Sequence, residues 1–263
     1  MAGAGAGGAT PPNAVKAISA ARFPENPLIT PESGRSVGEN INGPSVIRVP
    51  KWIEDPLGRY YMYFASHSGD SIRLAYADSM QGPWRVHDPG TLRLDQARPF
   101  RTARPAHIAS PDAHVDEARE EIRMYFHGMP EQGGGQATGV AISKDGIAFE
   151  PLDRILGRPY FRVFRWKGAC YALAKQGNDG WGTLSRSPDG LSRFDERRCF
   201  VKDMRHAAVM LRGDILLVFH SRVGDAPERI VLSTVRLSGD WTDWAGGPPH
   251  APTTARTGRS WPA

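Results

Sequence analysis

A carboxylate and an imidazole two residues apart mark the stretch of the chain best suited to chemistry, Ser110-Pro111-Asp112-Ala113-His114-Val115. In an extended strand residues i and i+2 share a face, so Asp112 and His114 can act on one ligand. Asp112 follows a proline, and capping a turn through its side chain is the plain alternative. Polar groups stand at the head of three further apolar runs. These are Asn42 in Asn42-Gly43-Pro44-Ser45, Arg158 and Tyr160 in Gly157-Arg158-Pro159-Tyr160-Phe161, and Arg205-His206 after Met204, while His107 leads the run that contains Asp112. A guanidinium fork can hold a carboxylate or phosphate bidentately, and an imidazole can donate to a hydroxyl or an anion. A structural ion pair is the alternative for each arginine. His67 and Asp70, in Ser66-His67-Ser68-Gly69-Asp70, either reach the same place from a hairpin or form an exposed turn.

Other chemistries lack their motifs. There is no Gly-x-Ser-x-Gly elbow, and the eight histidines show no His-Glu-x-x-His pair. Gly133-Gly134-Gly135 is not followed by Lys-Ser/Thr, so it is no phosphate loop. Neither a metal nor a cofactor is expected.

The elements that would position these groups follow from an internal repeat. A strand marker returns four times, as Tyr60-Tyr61-Met62-Tyr63-Phe64, Ile122-Arg123-Met124-Tyr125-Phe126, Cys170-Tyr171-Ala172-Leu173 and Ile215-Leu216-Leu217-Val218-Phe219. Met62 to Met124 is 62 positions, Met124 to Ala172 is 48, and Ala172 to Leu217 is 45. After each marker comes another strand, a turn and an aromatic: Trp84, Phe149, Phe194 and Trp241. Asp-Gly supplies the positive φ of a tight hairpin in the second and third copies, and the aromatic can close the layer between neighbouring sheets. Four-stranded units at this period predict an all-β fold, a β-propeller of antiparallel blades, with a β-sandwich as the alternative. In a propeller the innermost strands line a central channel, so their polar heads converge on one funnel. No long stretch has helical period, and Asp116 to Glu121 reads as a charged hairpin tip.

Composition agrees. Of 263 residues, 40% are hydrophobic and 23% charged, which fits neither a membrane protein nor a disordered chain. The net charge of +5 is spread without a Lys/Arg block, so nucleic acid is not an expected partner, nor is a membrane. Cys170 and Cys199 have no metal-ligand spacing, and Cys170 reads as a reduced core thiol. The Ala/Gly-rich start lacks a basic region and a Leu/Val-rich core, so no secretory signal is seen and a cytoplasmic location is expected. Residues 1–20 and 246–263 are expected to be disordered, with one propeller domain over 21–245, to which residues 22–40 could add a strand or two. The oligomeric state is left open.

A polar residue, a proline and an apolar strand, then a Tyr-rich strand and a hairpin closing on Gly82-Pro83-Trp84, resemble the five-bladed propeller glycoside hydrolases. This superfamily holds families 43, 32, 68, 117 and 130, and the resemblance covers roughly residues 40 to 245. Its most specific pieces are Ser110-Pro111-Asp112-Ala113-His114-Val115 and Tyr76-Ala77-Asp78-Ser79. The resemblance implies a carbohydrate substrate bound in the funnel and two carboxyl groups, one protonating the leaving oxygen and one activating water or attacking the sugar. Asp112 best matches a family carboxylate. The family's Asp-Pro and Glu positions hold Gly43-Pro44 and Gly157-Arg158-Pro159 instead, which leaves Glu228, Asp116 or a missing group as the second carboxylate. An ion pair with Arg222 or Arg229 is the alternative for Glu228. His206 resembles a funnel histidine of the last blade. Asn42, His67, His107, His114, Arg158, Tyr160, Arg205 and His206 are expected to bind substrate, with Asp112 and Glu228 catalytic. A phosphorylase whose cations hold phosphate and a sugar-binding propeller without catalysis are the alternatives. Four blades where the resembling enzymes have five imply a chain shortened at its C-terminus, a closed four-bladed ring, or completion by dimerising.

Overall fold

The computed structural model describes residues 18–102, 106–176, 180–249 and 253–254. It is a β-propeller, with helix limited among these residues to the 3-10 turns Pro31–Ser33 and Trp241–Asp243. A short strand β1 (Ser19–Ala20) precedes the blades. Blade one is β2 (Asn42–Arg48), β3 (Tyr60–Ala65), β4 (Ser71–Ala77) and β5 (Arg85–Arg93). Blade two is β6 (Ile108–Asp116), β7 (Glu121–Gly128), β8 (Ala137–Ser143) and β9 (Glu150–Pro151). Blade three is β10 (Arg162–Trp166), β11 (Ala169–Gln176), β12 (Trp181–Ser187) and β13 (Asp195–Val201). Blade four has β14 (Met204–Arg212), β15 (Ile215–Arg222) and β16 (Val231–Arg236), followed at its outer edge by Gly247, whose N–H donates to the Thr234 carbonyl at 2.9 Å. Every blade is an antiparallel meander in chain order, so the first strand of each lies innermost. The repeated marker is the second strand throughout.

Burial follows the repeat. β3, β7 and β11 are buried on both faces because a neighbouring sheet covers each side. Phe149 meets Tyr63 edge-on at 5.5 Å in the layer between blades one and two, and Phe194 meets Phe161 at 4.9 Å between blades two and three. Between blades three and four Trp241 packs on Tyr171 at 6.1 Å as a half-buried ring, and the more deeply buried Trp244 joins it on Trp166 and Tyr171. The blade-four turn lacks the Asp-Gly pair; its 3-10 turn, capped by Asp240, carries the chain from Trp241 to Trp244. Residues 22–40 add no strand. They fold Leu28, Ile29 and Val37 over the outer face of blade one, where Trp84 is buried.

A second device ties blade to blade. Asp145 and Asp189 each accept backbone N–H groups from the two and three residues that follow, which fixes an Asp-Gly turn. These bonds overcome the burial that opposes ionisation and hold Asp189 down at about 2. The Tyr63 hydroxyl of blade one then donates to the Gly146 carbonyl of blade two at 2.8 Å, and Tyr125 of blade two donates to Gly190 of blade three at 3.1 Å. Gly190 has φ of +77°, and a Cβ there would lie 2.7 Å from the Tyr125 hydroxyl, so the turn and the latch both need glycine.

Cys170 is a free, buried thiol, as its alternating neighbours imply, whereas Cys199 is free and exposed. Of the two end segments, residues 1–17, 250–252 and 255–263 lie outside the described residues. Ser19–Ala20 pairs in parallel with β17 (Thr253–Thr254), which brings the two ends of the fold together.

Candidate functional site in the central funnel

Near their starts three inner strands bulge, between Asn42 and Ser45, between Ala109 and Asp112, and between Met204 and Ala207. A bulge re-aims side chains and breaks the ladder locally, here at the polar heads of the strands. Gly43 has φ of +60°, and a Cβ on it would stand 3.0 Å from the Ser110 Cα, so the first two bulges can approach only because Gly43 is bare. Ser110 (φ 49°) and Tyr160 (φ 63°) occupy left-handed backbone that costs a side-chain-bearing residue of order 1–3 kcal/mol.

In blades one and two the residue after the proline locks the next blade. Ser45 Oγ accepts from the Ala113 N–H at 2.9 Å, and Asp112 Oδ2 accepts from the Val163 N–H at 2.7 Å. Arg162 continues the series by donating from Nε to the Ala207 carbonyl at 2.8 Å, and its Nη1 reaches back to the carbonyls of Pro111 and Phe161. His114 Nε2 lies 2.8 Å from the same Asp112 Oδ2, so the face they share by i, i+2 spacing is used to pair them with each other. Burial opposes ionisation of Asp112, but His114, Arg162 and the Val163 N–H outweigh it and hold the pKa below the usual carboxylate value.

Above this floor the funnel is made of imidazoles, a phenol and cations. The His127 ring is tilted by 44° against Tyr160 with centroids 4.1 Å apart, His107 meets His127 edge-on at 5.7 Å, and His206 meets Tyr160 edge-on at 5.9 Å. The Lys175 ammonium lies 5.9 Å from the Tyr160 ring. Gln136 Nε2 contacts His107 Nε2 at 3.3 Å. His127 is 2% exposed, and its Nδ1 is buried without a partner. Burial, and then the charges of His107, Arg162, His67 and His206, push it down to about 3. Burial with a lesser push from His67 lowers His107, and burial, Arg205, Lys175 and Arg162 lower His206 against the pull of Glu228.

The expected site residues therefore divide. His107, Tyr160 and His206 come together around His127, and His67 lies near enough to act on two of these imidazoles. Glu228 is paired with Arg205 at 3.1 Å, not with Arg222 or Arg229, which face Asp203 and Asp225. Asp116 is at the far end of β6, bound by Arg123 and Arg165, because β6 runs four more residues past Asp112. Asn42 donates to Asn40, whose side chain also accepts from the His67 N–H. Arg158 is half-buried and gives its carbonyl to Thr138. Asp70 borders a shallow cleft with Arg73 and Ser36 on blade one. His127, Lys175 and Arg162 were not expected. The repeat held the signal for two of them, since the position three past each marker residue is Ala65, His127, Lys175 and His220.

Away from the axis, a cavity of about 370 Å³ opens between blades three and four beside Trp181, Lys202, Arg222 and His220. Among the described residues no group of three His, Cys, Asp or Glu side chains is placed to hold a metal ion, and no helix is long and apolar enough to cross a membrane.

No family model matches the chain. Among solved structures it resembles an α-L-arabinofuranosidase from Clostridium thermocellum, with a TM-score of 0.59 at 15% identity over 82% of this chain and 74% of that one. An endo-1,4-β-xylanase from Bacteroides thetaiotaomicron gives 0.61 at 13% identity, covering 82% and 79%. A family 117 glycoside hydrolase from Zobellia galactanivorans gives 0.59 at 11%, covering 80% and 69%. These likenesses establish the glycoside-hydrolase-type propeller as the fold. A sequence relative, "Uncharacterized protein R118" of Acanthamoeba polyphaga mimivirus, is 34% identical over 256 residues, which span 85% of this chain and 70% of that protein. The chain belongs to the family of that mimivirus protein, on a propeller of the glycoside hydrolase type.

Proposed function

We propose that the chain recognises a carbohydrate at the mouth of its central funnel. The cluster of His107, His127, Tyr160, His206 and Lys175 carries this reading, because it offers aromatic faces beside hydrogen-bonding groups on strands and at their immediate starts. Strained backbone at Tyr160 and Ser110 supports it, since such strain gathers at ligand sites. Recognition is favoured over cleavage because glycosidases use two opposed carboxyl groups. Here Asp112 is engaged in fastening blade two to blade three, and Glu228 stands at the rim on Arg205. Hydrolysis by Asp112 and Glu228 is the second reading, favoured by the closeness of Glu228 to His206, whose pKa it raises. Phosphorolysis would use the same cations to hold phosphate.

A glycan and aryl-glycoside panel, with and without phosphate and beside Asp112→Asn, tests the three. Binding without turnover is expected under both conditions. Turnover that Asp112→Asn abolishes would replace recognition by hydrolysis, and turnover only with phosphate would replace it by phosphorolysis.

A further inference from the structure

We propose that the funnel's ligand is an anionic sugar, one that carries a carboxylate or phosphate group seated between His127, Tyr160, His206 and Lys175. The inference rests on the carbohydrate reading and adds the ligand's charge. Among the described residues neither Lys175 nor Arg162 has a carboxylate within ion-pair distance, although Arg162 satisfies three backbone carbonyls. The groups that face the imidazoles are largely cationic. Arg162 comes from blade three's inner strand, Lys175 from its second strand, and Arg205 from blade four. Against them stand Asp112, whose Oδ2 is engaged by His114 and Val163, and Glu228, held by Arg205. His127 Nδ1 is a fully covered imidazole nitrogen with no partner among the described residues, and the half-buried Tyr160 and Lys175 beside it are the groups a ligand meets first.

Burial first, and then the cations around them, disfavour imidazolium at His206 and His107, so an arriving anion both satisfies Lys175 and draws protons onto these rings. Binding of such a ligand is therefore coupled to proton uptake and tightens as pH falls from neutral toward 5.5.

Calorimetric titration of the full chain with four probes tests this: a neutral hexose, the matching uronate, the matching hexose 6-phosphate, and inorganic phosphate. Either charged sugar should bind at least tenfold more tightly than the neutral parent, and the tighter of the two names the anionic group. His206→Ala and Lys175→Gln should erase the preference. Proton uptake by the unaltered protein, measured in two buffers of different ionisation enthalpy, keeps the proposal testable if a variant misfolds. Equal affinity for neutral and charged sugars would overturn the charge assignment and leave the carbohydrate reading standing. Inorganic phosphate binding as well as the sugar phosphate would instead overturn the sugar. Absence of binding by every probe would overturn both.

Discussion

Two groups of charges lie near blade two and are treated in opposite ways. In the layer against blade three, Arg123 is 2% exposed, and its charge is met by carboxylates even though its Nη2 contacts them without a well-aligned hydrogen bond. Its Nε donates to Glu121 at 2.9 Å and its Nη1 to the Asp189 carbonyl at 2.6 Å, while Nη2 makes ion-pair contacts with Glu121 and with Asp116, which Arg165 also holds. Burial opposes the charge there, but Glu121 and Asp116 outweigh it and hold the guanidinium above its usual pKa. In the funnel, cations meet imidazoles and one another. Charge answered by carboxylate holds sheets together, whereas Lys175 and Arg162, near the strained Tyr160, are the charges on which the proposed anionic ligand depends.

The contrast is broken most forcefully by neutralising one cation in each region. Arg123→Met leaves Glu121 and Asp116 buried with less compensation, which costs about 3–5 kcal/mol. For a domain of this length that lowers Tm by roughly 10 °C. Lys175→Met removes a cation that no carboxylate answers, and Tm is expected to stay level or rise. Thermal melts of the two variants decide it, and equal losses would erase the distinction.

The funnel should make the fold sensitive to mild acid. A histidine held neutral in the folded state and free to protonate at about 6.5 when unfolded withdraws stability as pH falls below 6.5, and continues to do so down to its folded pKa. For His127, pushed down to about 3, the loss between pH 6.5 and 5 comes to about 2 kcal/mol. His107, His206 and His220, all lowered first by burial, act in the same direction. Asp112 and Asp189 have depressed pKa values, so their contribution is lost only at lower pH. Denaturant midpoints between pH 7.5 and 5 should fall, and the slope should flatten in His127→Gln. An unchanged slope would mean that His127 is not a neutral group of the folded protein.

How much of this was legible in the sequence follows the same divide. The strands, their order and the aromatics Phe149 and Phe194 could be read because a repeat averages over local ambiguity: four copies must agree on what faces inward. Blade four, where the Asp-Gly signal is absent, is where the unexpected Trp244 joins the expected Trp241 and is the more deeply buried of the two. At the site, inner-strand starts gave His107, Tyr160 and His206, and the i, i+2 rule gave the shared face of Asp112 and His114 but not their contact. His127 and Lys175 escaped because they end second strands: the hairpin sets those ends beside the inner-strand starts, His127 opposite Ala109, but only the inner-strand starts were read for polar groups. That Asp112 fastens Val163 is a contact 51 residues long, which no local pattern encodes.

Asp112 belongs to both regions and sharpens the comparison. In Asp112→Asn an amide oxygen can still accept the Val163 N–H, while the charged contact with His114 is lost, so a cost of about 1.5 kcal/mol is expected. Binding of a funnel ligand should persist if the residue is a fastener. A variant as stable as the parent would show that the latch contributes little to the ring.

The smallest effect concerns the tyrosine latches, which lie wholly on the structural side. Tyr63→Phe removes a buried hydroxyl's bond to the Gly146 carbonyl, and Tyr125→Phe removes its counterpart to Gly190. Each hydroxyl is deeply buried, which pushes both phenol pKa values upward and keeps the group a neutral donor at any working pH. The carbonyl left behind sits in an Asp-capped turn whose N–H groups are already satisfied by Asp145 or Asp189, so the turn itself should survive. Each substitution is then expected to cost about 1 kcal/mol, with no change in ligand affinity or in the pH slope. Because the two latches join different pairs of blades, the double variant should lose about the sum. A loss well above the sum, measured by denaturant titration, would mean that the blade interfaces are coupled through the inner strands. The axis would then take part in holding the ring together as well as in receiving a ligand.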